Sequence, residues 1–191
     1  MSAPCGISKF KGKYHIFYLY NPDAPRWGYM HWGHCVTADF IEYEELPVAV
    51  FPFDGGSLGG GSSVVKDGRL YLFYSYDNEV LSVVSEDGIH FADTEFDTVT
   101  GDYDYFTDPH VFEYEGRYLM LVGTGRHNVA GISLFESDDL IVWNFVSEPV
   151  CALLSICDYA LPNPLEQMRH SVFIDVADTA YKTGVPRLCI P

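Results

Sequence analysis

The chain has 191 residues, enough for one domain, and 48% of them are hydrophobic, so it can bury a core. Its formal net charge of −16 argues against nucleic acid and against an anionic membrane surface, since both reward cationic side chains. The five cysteines, Cys5, Cys35, Cys151, Cys157 and Cys189, are odd in number and fit no zinc-binding spacing. Residues 1–13 carry no apolar leader core, and the longest apolar run, 150–157, is too short to span a bilayer. These features predict a soluble, cytoplasmic protein with reduced thiols.

The predicted elements are strands throughout. A short apolar strand over 7–10 leads into a glycine turn at Gly12 and an aromatic-rich strand over 13–18. The same pair recurs as 62–65, Gly68 and 69–74, and again as 111–114, Gly116 and 117–122. A second motif follows each hairpin: Ser or Thr, any residue, Asp, then an aromatic four residues on. Its copies are Thr37-Ala38-Asp39 with Tyr43, Ser85-Glu86-Asp87 with Phe91, and Ser137-Asp138-Asp139 with Trp143. Short polar side chains at these positions bond nearby backbone groups in turns, and the closing aromatic predicts an inward-packing strand.

The motif copies start 48 and 52 residues apart. About 50 residues holding about four strands is the size of a β-propeller blade. Two motifs repeating in the same order favour that fold over a β-sandwich with chance hairpin similarity. The fold class is therefore all-β, with propeller blades over 1–149 and a divergent, unassigned segment over 150–191. That last segment holds Pro162-Asn163-Pro164 and a plausible strand over 172–176. Three units do not close a ring of five. The expectation is a propeller truncated to about three blades, a fragment of a longer gene product, or a ring whose open edge is closed by self-association or by a partner chain.

One stretch is more specific. Phe17-Tyr18-Leu19-Tyr20-Asn21-Pro22 precedes Trp27-Gly28-Tyr29-Met30-His31-Trp32-Gly33-His34, and Asp39 and Glu44-Glu45-Leu46-Pro47 follow. With Phe106-Thr107-Asp108-Pro109 and the segment 136–143, this order resembles glycoside hydrolase family 32, the invertases, sucrose-6-phosphate hydrolases and fructanases. The resemblance covers residues 1–157. It implies a five-bladed propeller acting on β-fructosides, with the site in the central funnel and no metal or other cofactor. Retaining hydrolysis of this kind uses a carboxylate nucleophile and an acid about 5 Å apart.

The resemblance also assigns positions, and most have changed. The nucleophile motif aligns with Ser2-Ala3-Pro4-Cys5-Gly6, which puts Ala3 at the nucleophile. The acid aligns with Ile156, before Cys157. The third carboxylate, which steadies the transition state, is retained as Asp108, but the arginine before it is Thr107. A glutamine in the first hairpin is Leu19, and a Phe-Ser pair lining the fructose site is Gly59-Gly60, within the glycine-rich run 55–63. A methyl group forms no glycosyl ester, and isoleucine has no proton to give.

Two readings stay open for the residues that remain. Trp27 and Trp32 either line the mouth and pack against a sugar's apolar face or belong to ordinary loop packing. Asp108 either holds a hydroxyl or caps a turn before Pro109. His31 and His34 lack metal-ligand partners at a workable spacing and are expected to pack structurally. Asp102, Asp104 and Asp158 are acidic neighbours with no specific signal. The expectation is a degenerate fructosidase propeller retaining weak sugar binding. An active β-fructosidase acting on sucrose or sucrose-6-phosphate, and an interaction subunit, are the alternatives.

Overall fold

The computed structural model describes residues 3–94, 99, 103–126 and 129–147. The segment 150–191, with Ile156, Cys157, Asp158 and the strand expected at 172–176, lies outside the described residues, as does Asp102.

Twelve strands form three four-stranded antiparallel sheets. The first holds β1 (Pro4–Phe10), β2 (Lys13–Tyr20), β3 (His31–Thr37) and β4 (Glu44–Val50). The second holds β5 (Gly61–Lys66), β6 (Arg69–Tyr76), β7 (Glu79–Ser85) and β8 (Ala92–Asp93). The third holds β9 (Tyr105–Tyr114), β10 (Arg117–Arg126), β11 (Val129–Ser137) and β12 (Asn144–Ser147). Within each sheet every strand pairs with the next in sequence. These are the up-and-down blades that the repeat predicts.

Turn chemistry explains why each blade begins as a hairpin. The pairs Lys11-Gly12, Asp67-Gly68 and Glu115-Gly116 all have positive φ at both residues. They join Phe10 to Lys13, Lys66 to Arg69 and Tyr114 to Arg117 in register. Two consecutive left-handed residues make the two-residue turn whose twist suits a hairpin. Glycine at the second position adopts it without a Cβ penalty.

The second motif also forms the same structure three times. Asp39 Oδ1 accepts the amides of Ile41 and Glu42, Asp87 Oδ1 those of Ile89 and His90, and Asp139 Oδ1 those of Ile141 and Val142. The hydroxyls of Thr37, Ser85 and Ser137 accept the amides of Phe40, Gly88 and Leu140, residues that all have positive φ. All three carboxyls are held below their usual range, Asp39 and Asp139 chiefly by these amides and Asp87 first by the His90 ring and then by the amides.

The blades stack face to face, and the hydrophobic core lies in two layers between them. Phe17, Leu19 and Trp32 of the first blade pack with Leu70, Leu72 and Tyr74 of the second. Tyr71 and Phe73, from the second blade's other face, pack with Tyr118, Met120 and Val122 of the third. The closing aromatics Phe91 and Trp143 reach the preceding blade, edge-on to Phe17 at 5.9 Å and to Phe73 at 5.8 Å. Tyr43 departs from the inward packing expected of it and is 56% exposed, because no described blade precedes the first.

The inner strands lie side by side, β1 against β5 and β5 against β9. They share no backbone ladder, so hydroxyls join them instead. Ser8 Oγ meets Ser63 Oγ at 2.8 Å, and the Val111 amide donates to Ser62 Oγ at 2.8 Å. No described helix is long and apolar enough to cross a membrane.

Candidate functional site

The repeat puts the sequence-assigned positions at one level. Ala3, Gly59 and Thr107 each stand seven residues before the residue that enters the hairpin turn, Phe10, Lys66 or Tyr114. Their partners on the second strands are also equivalent. The Leu19 amide donates to the Ala3 carbonyl at 3.1 Å, the Gly59 amide donates to the Ser75 carbonyl at 2.8 Å, and Thr107 pairs with Gly123. Residues scattered from 3 to 108 in sequence therefore converge where the inner strands meet.

Asp108 brings the carboxylate to this level. It lies in a kink of β9, where the register shifts between Leu121 and Gly123, and its φ is +53°. Its amide donates to Ser75 Oγ at 3.3 Å. Oδ1 stands 2.3 Å from where a Cβ on Gly60 would lie, so the carboxylate fills space that any other side chain at 60 would take.

The nearby thiol is inert. Cys5 is buried, and desolvation, reinforced by the Asp108 charge, pushes its pKa up to about 12. The Cys5 Sγ also donates to the Ala3 carbonyl at 3.5 Å. Burial thus keeps the Cys5 thiol protonated. Thr107 is buried, with Oγ1 3.0 Å from Ser75 Oγ, and Leu19 is buried in the core between the first two blades.

The two tryptophans fall in different environments. Trp32 is wholly buried, and its indole N–H donates to the Gly59 carbonyl at 2.9 Å. Its ring packs among Phe17 and Tyr74 and braces the Gly59-Gly60 backbone from behind. Trp27 is 57% exposed in the loop between β2 and β3. That loop is organised by Asn21, whose amide donates to the carbonyls of Arg26 and Gly28.

His34 packs structurally, as expected. It is wholly buried, stacks on Phe17 at 4.4 Å and meets His15 Nδ1 through Nε2 at 3.0 Å. His31 is partly exposed, with Nδ1 2.8 Å from the Tyr29 carbonyl oxygen. Among the described residues no group of three or more His, Cys, Asp or Glu side chains is placed to hold a metal. Asp104 meets the second strand of its own blade through its amide, which donates to the Gly125 carbonyl at 2.9 Å, and its carbonyl accepts from the Asn78 side chain at 3.3 Å.

Ser75 is the site residue that sequence reasoning missed. Its hydroxyl touches both Gly60 and Thr107 and receives the Asp108 amide. The only signal in the sequence is its place six residues past the start of the aromatic strand, the register that Leu19 occupies in the first unit.

Comparison with known proteins gives the family. Residues 1–157 match the model of the glycosyl hydrolases family 32 N-terminal domain. A sucrose-6-phosphate hydrolase of Zymomonas mobilis is 35% identical over 169 residues, covering 76% of this chain and 33% of that protein. A levanase of Bacillus subtilis is 33% identical over 172 residues, covering 78% of this chain and 24% of the levanase. The solved structure of a family 32 β-fructofuranosidase from Bombyx mori superposes with a TM-score of 0.73 at 28% identity, over 82% of this chain and 36% of that one. The chain thus spans about a third or less of the length of these relatives. Because the family model matches residues 1–157, most of the chain, the chain belongs to glycoside hydrolase family 32.

Proposed function

We propose that this chain is a fructoside-recognising propeller impaired in hydrolysis. The observation that carries the reading is the make-up of the level where the inner strands meet. Of Ala3, Gly59, Gly60, Thr107 and Asp108, only Asp108 bears a carboxylate. Retaining hydrolysis needs a second carboxylate as nucleophile and a further acid. The position that family resemblance gives the nucleophile is a methyl group, and the thiol two residues on is held protonated by burial. What remains suits recognition: Asp108 for a sugar hydroxyl and exposed Trp27 for a sugar's apolar face. The names of the relatives, sucrose-6-phosphate hydrolase and levanase, point to fructose-containing sugars.

The test is fructose release from sucrose, sucrose-6-phosphate and inulin by purified, folded chain, beside an Ala3→Asp, Ile156→Glu double variant. We expect no release by the native chain, because deleting a nucleophile elsewhere costs on the order of 10⁴- to 10⁶-fold in turnover. Release that Asp108→Ala abolishes would overturn the reading and establish the active alternative.

A second reading, an interaction subunit, draws on a different observation. The outward face of the first blade leaves Ile7 54%, Phe40 48% and Tyr43 56% exposed, where the corresponding faces of the other two blades are packed.

A further inference from the structure

We infer that Ser75 is a positioning residue: its hydroxyl, together with the absent side chain at Gly60, sets where the Asp108 carboxylate stands. A serine hydroxyl has one proton and two acceptor lone pairs. Ser75 uses all three, donating to the Gly60 carbonyl at 3.2 Å and accepting from the Asp108 amide at 3.3 Å and from the Thr107 hydroxyl at 3.0 Å. The backbone clamps the same point, since the Ser75 amide donates to the Gly60 carbonyl at 3.1 Å and the Gly59 amide to the Ser75 carbonyl at 2.8 Å. One side chain on β6 therefore ties the start of β5 to the kink in β9.

The kink needs such a tie. Asp108 has φ +53°, a region that L residues adopt at a cost and keep only where the surroundings hold them. Its carboxylate then points at Gly60, where it fits because no Cβ is present. The fold itself makes no demand for a hydroxyl at this register. The equivalent residues are Leu19 in the first blade and Gly123 in the third, and both blades form. Ser75 is buried, so it acts through Asp108 and does not meet the sugar itself.

The functional consequence rests on the proposed fructoside reading; the placement of the carboxylate does not. Two measurements separate them. The first is the crystal structure of Ser75→Ala and of Gly60→Ala, read for the position of Asp108 Oδ1. We expect the carboxylate to leave Gly60 in both, and to stay in Ser75→Thr. A carboxylate that stays put in Ser75→Ala overturns the inference. The second is fructose affinity by calorimetry. Ser75→Ala is expected to bind about tenfold more weakly, the worth of one hydrogen bond. Ser75→Thr should restore binding, and Ser75→Ala should have no further effect in an Asp108→Asn background. An equal loss in both backgrounds assigns Ser75 a general structural role and overturns the inference. No fructose binding by the native chain, with the carboxylate displaced in Ser75→Ala, sinks the sugar reading while the positioning role stands.

Discussion

His15 and His34 meet at 3.0 Å between the first two blades, surrounded by the rings of Phe10, Phe17 and Phe91. The buried His34 Nδ1 has no hydrogen-bond partner among the described residues. Desolvation, and then the neighbouring His15, push the His34 pKa down to about 3, and burial with the Lys13 charge lowers His15 as well. The sign follows from proton counting. The unfolded chain takes up protons below about pH 6.5, whereas the fold keeps His34 neutral until about pH 3 and lowers His15 as well. The pair's contribution is fully present above pH 6.5 and is lost as pH falls toward 3. We expect the urea midpoint to fall over this window, on the order of a few kcal/mol in all. A His34→Phe variant should show a shallower fall, and parallel curves would refute this account. Trp32 shows the same dependence on surroundings at residue scale: a ring that the motif leaves open to either role is buried, with its N–H on Gly59.

Among elements, the two-residue turns are the most self-contained. Nothing lies within 4 Å of a Cβ built on Gly12, Gly68 or Gly116, so a substitution there meets no neighbour and is penalised only by its positive φ. Gly68→Ala should therefore cost about 1–2 kcal/mol, the usual price of a left-handed alanine. Gly68→Asn should cost less, because its side chain bonds locally in that conformation. Equal melting temperatures for the two variants would remove conformation as the cause. Local chemistry of this kind is why the blades were legible in the sequence. Each hairpin turn and each Ser/Thr-x-Asp turn is satisfied within a few residues, so pattern and structure coincide three times. The closing aromatics were legible only in part. Phe91 and Trp143 pack inward, but Tyr43 does not, because its partner would belong to a preceding blade.

At the scale of the molecule, each blade offers one face forward and one back. The forward face of the first meets the back of the second, and the second meets the third in the same way. The back of the first blade keeps Ile7, Phe40 and Tyr43 exposed among the described residues. If another chain covers this face, light scattering behind size exclusion should show an oligomer at tens of micromolar, and Tyr43→Glu should shift it toward monomer. A monomer across that range would count against the interaction reading.

The sequence by itself determined the strand content, the blade period, the turns and the family, because hairpin glycines, Ser/Thr-x-Asp turns and motif order are local properties. It also determined that Asp108 is the carboxylate among residues 3, 59, 60, 107 and 108, since identity needs no geometry. Tertiary structure alone decided what stands beside Asp108. Gly60, just before β5, lies one repeat unit of 48 residues before it, and Ser75 on β6 lies 33 residues before it; the repeat equates the positions of Gly60 and Asp108 but does not show that they touch. It also decided that Trp32 is buried and Trp27 exposed, although they stand five residues apart in one motif. The physical reason is the same in each case: burial and contact across the inner strands depend on how whole blades stack, and stacking is a sum over faces that no single stretch of the chain contains.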